Sequence, residues 1–176
     1  AIVSRGKPVL TISGVDVAVP PGAFMQAVAE AEVAMAEIVV AATKRAKVVA
    51  DLFCGVGTFS FALSKRARVF AADSDRSSVA ALATAARGAQ GLKPIEAKVR
   101  DLFREPLGWQ ELRAYDAVVF DPPRAGAKAQ AAELAKSKVP TIVAVSCNPA
   151  TLARDAQILI AGGYKIGRVT PIDQFL

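Results

Sequence analysis

At 176 residues with 53% hydrophobic side chains, the chain fits one domain with a sizeable core, which excludes a disordered tail or fibrous repeat. Its net charge of +6 and pI near 9.6 are compatible with a polyanionic partner, although solvated helix ends and loops account for such charge equally well. With two cysteines and no histidine, it offers no disulfide scaffold, no Cys/His metal cluster and no histidine-based triad, so no metal is expected.

No apolar run reaches the roughly 18 to 20 residues of a membrane span, and the N-terminus lacks the order of a secretory signal. No membrane association and a cytoplasmic location are therefore the default expectations. The sequence opens without methionine in a strand-like stretch, and we expect a fragment of something longer.

In chain order, Val9-Leu10-Thr11-Ile12 and Val15-Asp16-Val17-Ala18-Val19 flank Ser13-Gly14 and predict a β-hairpin ended by Pro20-Pro21-Gly22. Phe24 to about Thr43 has helical periodicity. Strands then alternate with helices. Val48 to Phe53, Arg68 to Ala72, Pro94 to Val99, Ala117 to Phe120 and Pro140 to Ser146 predict strands, the last two buried. Thr58 to Lys65, Ser77 to Arg87, Ala127 to Lys138 and Pro149 to Ala161 predict helices. Asn148 and Pro149 supply a cap and first helical residue, Gly162-Gly163 a stop, and Tyr164 to Ile172 a final strand. The alternation implies an α/β fold, a mostly parallel sheet with helices on both faces.

In such sheets ligands bind outside the carboxyl ends of the strands, and polar residues collect there. Asp51-Leu52-Phe53-Cys54-Gly55-Val56-Gly57 ends the first strand, Asp73 the second, Asp101 follows the third, Asp121 ends the next, and Ser146-Cys147-Asn148 follows the last. Gly55 and Gly57 permit a tight turn and close approach of a cofactor, or form a simple turn. Asp73 lies one βαβ step after Asp51, where a ribose-binding acid is expected, or it caps the helix ahead of Ser77. Asp101 is a ligand of the same kind or an N-cap for Leu102-Phe103. The two prolines of Asp121-Pro122-Pro123-Arg124 stiffen a loop that holds an acid and a guanidinium apart, as the polar edge of a pyrimidine requires; otherwise it is a rigid connection. Cys147 precedes a helix N-terminus, which favours a thiolate, against the alternative of a small buried hydrophobe. Cys54, beside the glycine turn, reads as packing.

These elements resemble the uracil-C5 RNA methyltransferases that act on transfer and ribosomal RNA. The match is carried by Pro21-Gly22-Ala23-Phe24-Met25-Gln26, Asp51 to Ser60, Asp121-Pro122-Pro123-Arg124, Ser146-Cys147-Asn148-Pro149 and Val169 to Phe175. The resemblance implies a class I methyltransferase (Rossmann-like) fold with S-adenosylmethionine as methyl donor and RNA as partner. It implies Gln26, Phe53, Thr58, Asp73, Asp101 and Asp121 around donor and base, with Gly55 and Gly57 in the donor turn. It makes Cys147 the nucleophile, with Asp121 and Arg124 acting on the base. It further implies residues 1–22 as the remnant hairpin of a preceding β region, residues 23–176 as the catalytic domain, and a proton-removing glutamate and last strand beyond Leu176. Val28 and Thr58 stand where asparagine is frequent in that family. Two other readings are a non-catalytic donor- or RNA-binding module and a NAD-dependent oxidoreductase. The second lacks the third glycine of its fingerprint, where Ser60 stands.

Overall fold

The structure is a computed structural model that describes residues 8–23 and 29–173. A two-stranded antiparallel hairpin, β1 (Val9–Ile12) and β2 (Val15–Ala18), turns through Ser13 and Gly14, both at positive φ. Helix α1 (Ala29–Ala42) follows; the start predicted at Phe24 lies outside the described residues, as does Gln26. Then come β3 (Val48–Leu52), α2 (Thr58–Ser64), β4 (Arg68–Asp73), α3 (Arg76–Gly88) and β5 (Ile95–Val99). The remaining elements are α4 (Trp109–Leu112), β6 (Ala117–Phe120), α5 (Lys128–Lys136), β7 (Thr141–Ala144) and α6 (Pro149–Ala161).

The five strands β3–β7 form one parallel sheet in the order β5-β4-β3-β6-β7. Its pleat sends alternate residues to opposite faces, and two apolar clusters follow from that alternation. Val49, Val69, Ala71, Ala117 and Val119 join the hairpin's Ile12 and Val17, α1's Val39, α2's Phe61 and α3's Leu82. Ala50, Leu52, Phe70, Val118 and Phe120 join α4's Leu112, α5's Leu134 and α6's Leu159. Helices therefore cover both faces, as the alternation implied. Among the described residues no helix is long and apolar enough to cross a membrane.

Three expectations change. The strand predicted over Tyr164 to Ile172 does not form: residues 164–173 have no regular structure, and Ile166 and Val169 are 61% and 72% exposed. A strand exists only by pairing, and among the described residues this segment joins no ladder. The strand of Pro140 to Ser146 shortens to β7, which is half-buried rather than buried, because it lies at the sheet edge. The one-turn helix α4 was not anticipated. It is held by Glu111, which accepts from the Gly108 amide at 2.9 Å and pairs with Arg100 at 2.8 Å.

Strand order reverses between β3 and β6, so the loops leaving these two neighbours diverge to opposite faces and open a crevice at their carboxyl ends.

Candidate active site

The β3 side of the crevice is built largely from backbone. Phe53 turns out of the strand in the left-handed region (φ +62°), and the Cys54 amide donates to the Ala72 carbonyl of β4 at 3.1 Å. Gly57 sits at φ +105°, where an added Cβ would lie 2.8 Å from the Phe61 ring and 3.0 Å from Leu82. Gly55, at φ +53°, has open space where its Cβ would point. One glycine lets the helix close on the strand; the other leaves room above the turn. Thr58, half-buried, opens α2, which has no side-chain cap.

Asp73 holds that turn. Its Oδ2 accepts from the Gly55 amide and its Oδ1 from the Asp75 amide, both at 2.9 Å. The capping role that Asp73 was offered as an alternative belongs to Asp75, which accepts from the Ser77 and Ser78 amides. The Ser77 and Ser78 hydroxyls also donate to it, at 2.6 and 2.5 Å, and these side-chain hydrogen bonds, with the two amides in support, hold the Asp75 carboxyl down at about 2. Asp101 does cap a turn, accepting from the Phe103 and Arg104 amides at 3.0 and 3.3 Å. That turn brings Phe103 against Phe53, with ring centroids 5.5 Å apart, so the Asp101 loop joins the site.

Sequence reasoning placed Asp51 in the motif that ends the first strand but gave it no role of its own. It lies wholly buried in β3, and its Oδ2 accepts from the Ser60 hydroxyl at 2.5 Å while Oδ1 has no partner. Burial, then the neighbouring Asp121 and Asp73 carboxylates, push its pKa up to about 7, against the lowering effect of the Ser60 hydrogen bond. Burial likewise raises Asp121 to about 6. Three carboxylates thus converge at one end of β3, β4 and β6, and none has an ion-pair partner among the described residues. An acid inside an otherwise apolar strand was the signal available for Asp51. Cys54 is buried in the apolar cluster, its thiol pushed up by burial first and then by Asp51 and Asp73, as a packing residue should be.

On the β6 and β7 side, Arg124 and Cys147 face solvent while Asp121 is half-buried. Asp121 follows β6 directly, Pro122 is buried, and Arg124 is exposed. Cys147 is a free, exposed cysteine. Asn148 caps α6 by accepting from the Ala150 amide at 3.0 Å, with Pro149 as the first helical residue. The same Asn148 donates through Nδ2 to the Arg124 carbonyl at 3.1 Å. Because β6 and β7 are paired, with Phe120 opposite Ala144 and the Val145 amide on the Phe120 carbonyl, the two loops leave side by side. Asp121, Arg124 and Cys147 therefore share one end of the sheet with the glycine turn, Asp51 and Asp73.

The protein-family model for tRNA (uracil-5-)-methyltransferases matches residues 15–176. An uncharacterized RNA methyltransferase of Brucella melitensis is 57% identical over 175 residues, covering 99% of this chain and 42% of that protein. The 23S rRNA (uracil(1939)-C(5))-methyltransferase of Colwellia psychrerythraea is 38% identical over 131 residues, 72% of this chain and 28% of that protein. Among solved structures, the Pyrococcus abyssi tRNA (uracil-54, C5)-methyltransferase in complex with S-adenosyl-L-homocysteine superposes with TM-score 0.74 at 30% identity. That match covers 86% of this chain and 37% of the other. A ribosomal protein L11 methylase of Lactobacillus delbrueckii, at 18% identity and TM-score 0.62, shares the fold alone. This chain spans about two fifths of the length of the curated relatives it matches first. With the matched motifs and the crevice in agreement, the chain belongs to the tRNA (uracil-5-)-methyltransferase family.

Proposed function

We propose that residues 23–176 form the catalytic domain of an S-adenosylmethionine-dependent enzyme that methylates carbon 5 of a uridine in RNA, with Cys147 as nucleophile. The observation that carries this reading is the exposed Cys147 thiol on a loop tied to the Arg124 carbonyl, beside an unpaired carboxylate cluster. Carbon 5 of uracil is a weak nucleophile. Addition of the Cys147 thiolate to carbon 6 forms an S–C bond and moves the ring's double-bond electrons toward the carbon 4 oxygen as an enolate, which makes carbon 5 nucleophilic. Carbon 5 would then take the donor's methyl, a C–C bond forming as the S–CH3 bond breaks and S-adenosylhomocysteine leaves, and loss of the carbon 5 proton to a base would expel the thiolate and restore the ring. Asp121 orients the ring through its N3–H, and the Arg124 guanidinium stabilises the enolate oxygen.

S-adenosylmethionine supplies an electrophilic methyl on a cationic sulfonium, together with an ammonium. The residues present fit such a group. Asp51, Asp73 and Asp121 gather carboxyl groups that have no counter-ion among the described residues, Asp51 keeps a buried oxygen without a partner among them, and the Gly55 turn leaves space. Phe53, Gly57, Thr58, Asp73 and Asp101 line the donor side on this reading, joined by Gln26 from outside the described residues.

Covalent trapping with 5-fluorouridine-containing RNA tests the reading, because a carbon 5 fluorine cannot leave as a proton and the test needs no base. A Cys147–RNA adduct that requires the methyl donor is expected. A donor-bound chain that forms none would end the nucleophile assignment.

A further inference from the structure

Besides its own backbone bond, from the Gly126 amide to the Pro123 carbonyl at 2.8 Å, the loop that follows Asp121 is held by side chains of α6 and its N-cap. Asn148 Nδ2 and Thr151 Oγ1 both donate to the Arg124 carbonyl, at 3.1 and 3.2 Å. One turn later, Arg154 donates through Nη2 to the Ala125 carbonyl at 3.0 Å. Asp155, only 2% exposed, accepts from the Ala127 amide at 2.6 Å and pairs with Arg154 at 2.8 Å. Gly126 lies under this clamp at φ +73°. An added Cβ there would sit 2.4 Å from Arg154, 2.7 Å from Asp155 and 2.9 Å from Thr151. Backbone and side chains have thus closed on one another along residues 124–127.

The clamp comes from the helix that begins two residues after Cys147. A buried carboxylate is costly unless it is charge-paired and hydrogen-bonded; Arg154 beside it on α6 supplies the pair, and the Ala127 amide supplies a hydrogen bond that requires the loop in this position. We propose that Arg154 and Asp155 are positioning residues that lock the Arg124 loop to the helix carrying Cys147, so that nucleophile and guanidinium meet the same base in register. The proposal rests on the methyltransferase reading above for its purpose, and on the clamp alone for its geometry. Neither residue touches the substrate in it.

The test compares Asp155→Ala, Asp155→Asn and Thr151→Val with the unaltered chain, each well below its melting temperature. Three quantities are read: the rate of 5-fluorouridine RNA trapping, the affinity for S-adenosylhomocysteine, and hydrogen exchange at the Gly126 and Ala127 amides. Misplacing reacting groups by about an ångström costs on the order of a hundredfold, so Asp155→Ala should slow trapping by about that factor. Affinity for S-adenosylhomocysteine should stay within about twofold, because the clamp's hydrogen bonds run to the Arg124, Ala125 and Ala127 backbone, whereas the Gly55 turn is held by Asp73. Exchange at Ala127 should rise. Asp155→Asn, which keeps an acceptor oxygen, should recover most of the trapping rate, a rescue that a purely structural role would not produce.

Trapping at the unaltered rate in Asp155→Ala overturns the proposal, as does an equal fall in trapping and donor affinity. Should Asp155→Ala not fold, Asp155→Asn and Thr151→Val decide by the same comparison. If the unaltered chain traps no RNA, the nucleophile reading fails separately, and unchanged exchange at Gly126 and Ala127 in the variants would then overturn the clamp.

Discussion

The two halves of the crevice are built in opposite ways. The β3–β4 half uses backbone geometry and buried acids: Gly57 closes on Phe61 and Leu82, Asp73 holds the Gly55 amide, and Asp51 is wholly enclosed. The β6–β7 half uses exposed reactive groups, Arg124 and Cys147, on loops held by side-chain hydrogen bonds from α6. A fixed, preorganised cradle suits a small cofactor, whose binding gains from rigidity. Exposed groups suit a macromolecular substrate that must approach from solvent and leave again. The difference also separates the consequences of mutation: the first half should fail in donor binding and stability, the second in chemistry.

The largest expected effect breaks only the second half. Cys147→Ala should lower methyl transfer and trapping by at least about a thousandfold, as nucleophile deletions do, and leave S-adenosylhomocysteine affinity within about twofold. Calorimetry beside the trapping assay checks both, and lost donor affinity would erase the proposed division. The first half breaks at Gly57→Ala. A side chain at φ +105° facing Phe61 at 2.8 Å should cost about 1–3 kcal/mol of stability and weaken donor binding in the same variant.

Asp51 sharpens the contrast through pH. Its folded value of about 7 lies above the ordinary 3.8, so the folded chain binds the proton more tightly than the unfolded one. Its contribution is complete below pH 4 and is lost as pH rises through 7. The difference is roughly 4 kcal/mol if expressed in full. Melting temperature should therefore fall between pH 5.5 and pH 8, and Asp51→Asn should flatten that slope. A slope that is identical in the variant would remove Asp51 as its source. The smallest effect belongs to Cys54. Cys54→Ala should lose about 1 kcal/mol of packing and leave trapping within about twofold, which assigns the adduct to Cys147 alone.

Much of this was legible in the chain itself. Short stretches between segments of helical periodicity located every strand of the main sheet, most of them apolar runs and β5 an alternation interrupted by Glu96 and Lys98, and Asn148-Pro149 located the start of α6 to the residue. Asp73, Asp121 and Cys147 were legible because each follows an apolar run, where a parallel sheet places its ligands. Asp51 was placed at the end of the first strand but given no role, because it lies within such a run and its burial is set by neighbours on other strands. Asp155 was missed because its partner, the Ala127 amide, is 28 residues away, beyond any local pattern.

Local chemistry alone therefore determined the alternation of elements, the glycine turn and the polar residues at strand ends, since propensity, periodicity and capping act within a few residues. Tertiary structure decided everything that depends on who stands next to whom. Among the described residues it set β7 at an edge and left Tyr164 to Ile172 without a ladder. It chose Asp75 over Asp73 as the cap, gathered three acids around one buried oxygen, and drew α6 across the Arg124 loop. Pairing, burial and charge–charge repulsion act through space, and spatial neighbours along this chain are separated by tens of residues.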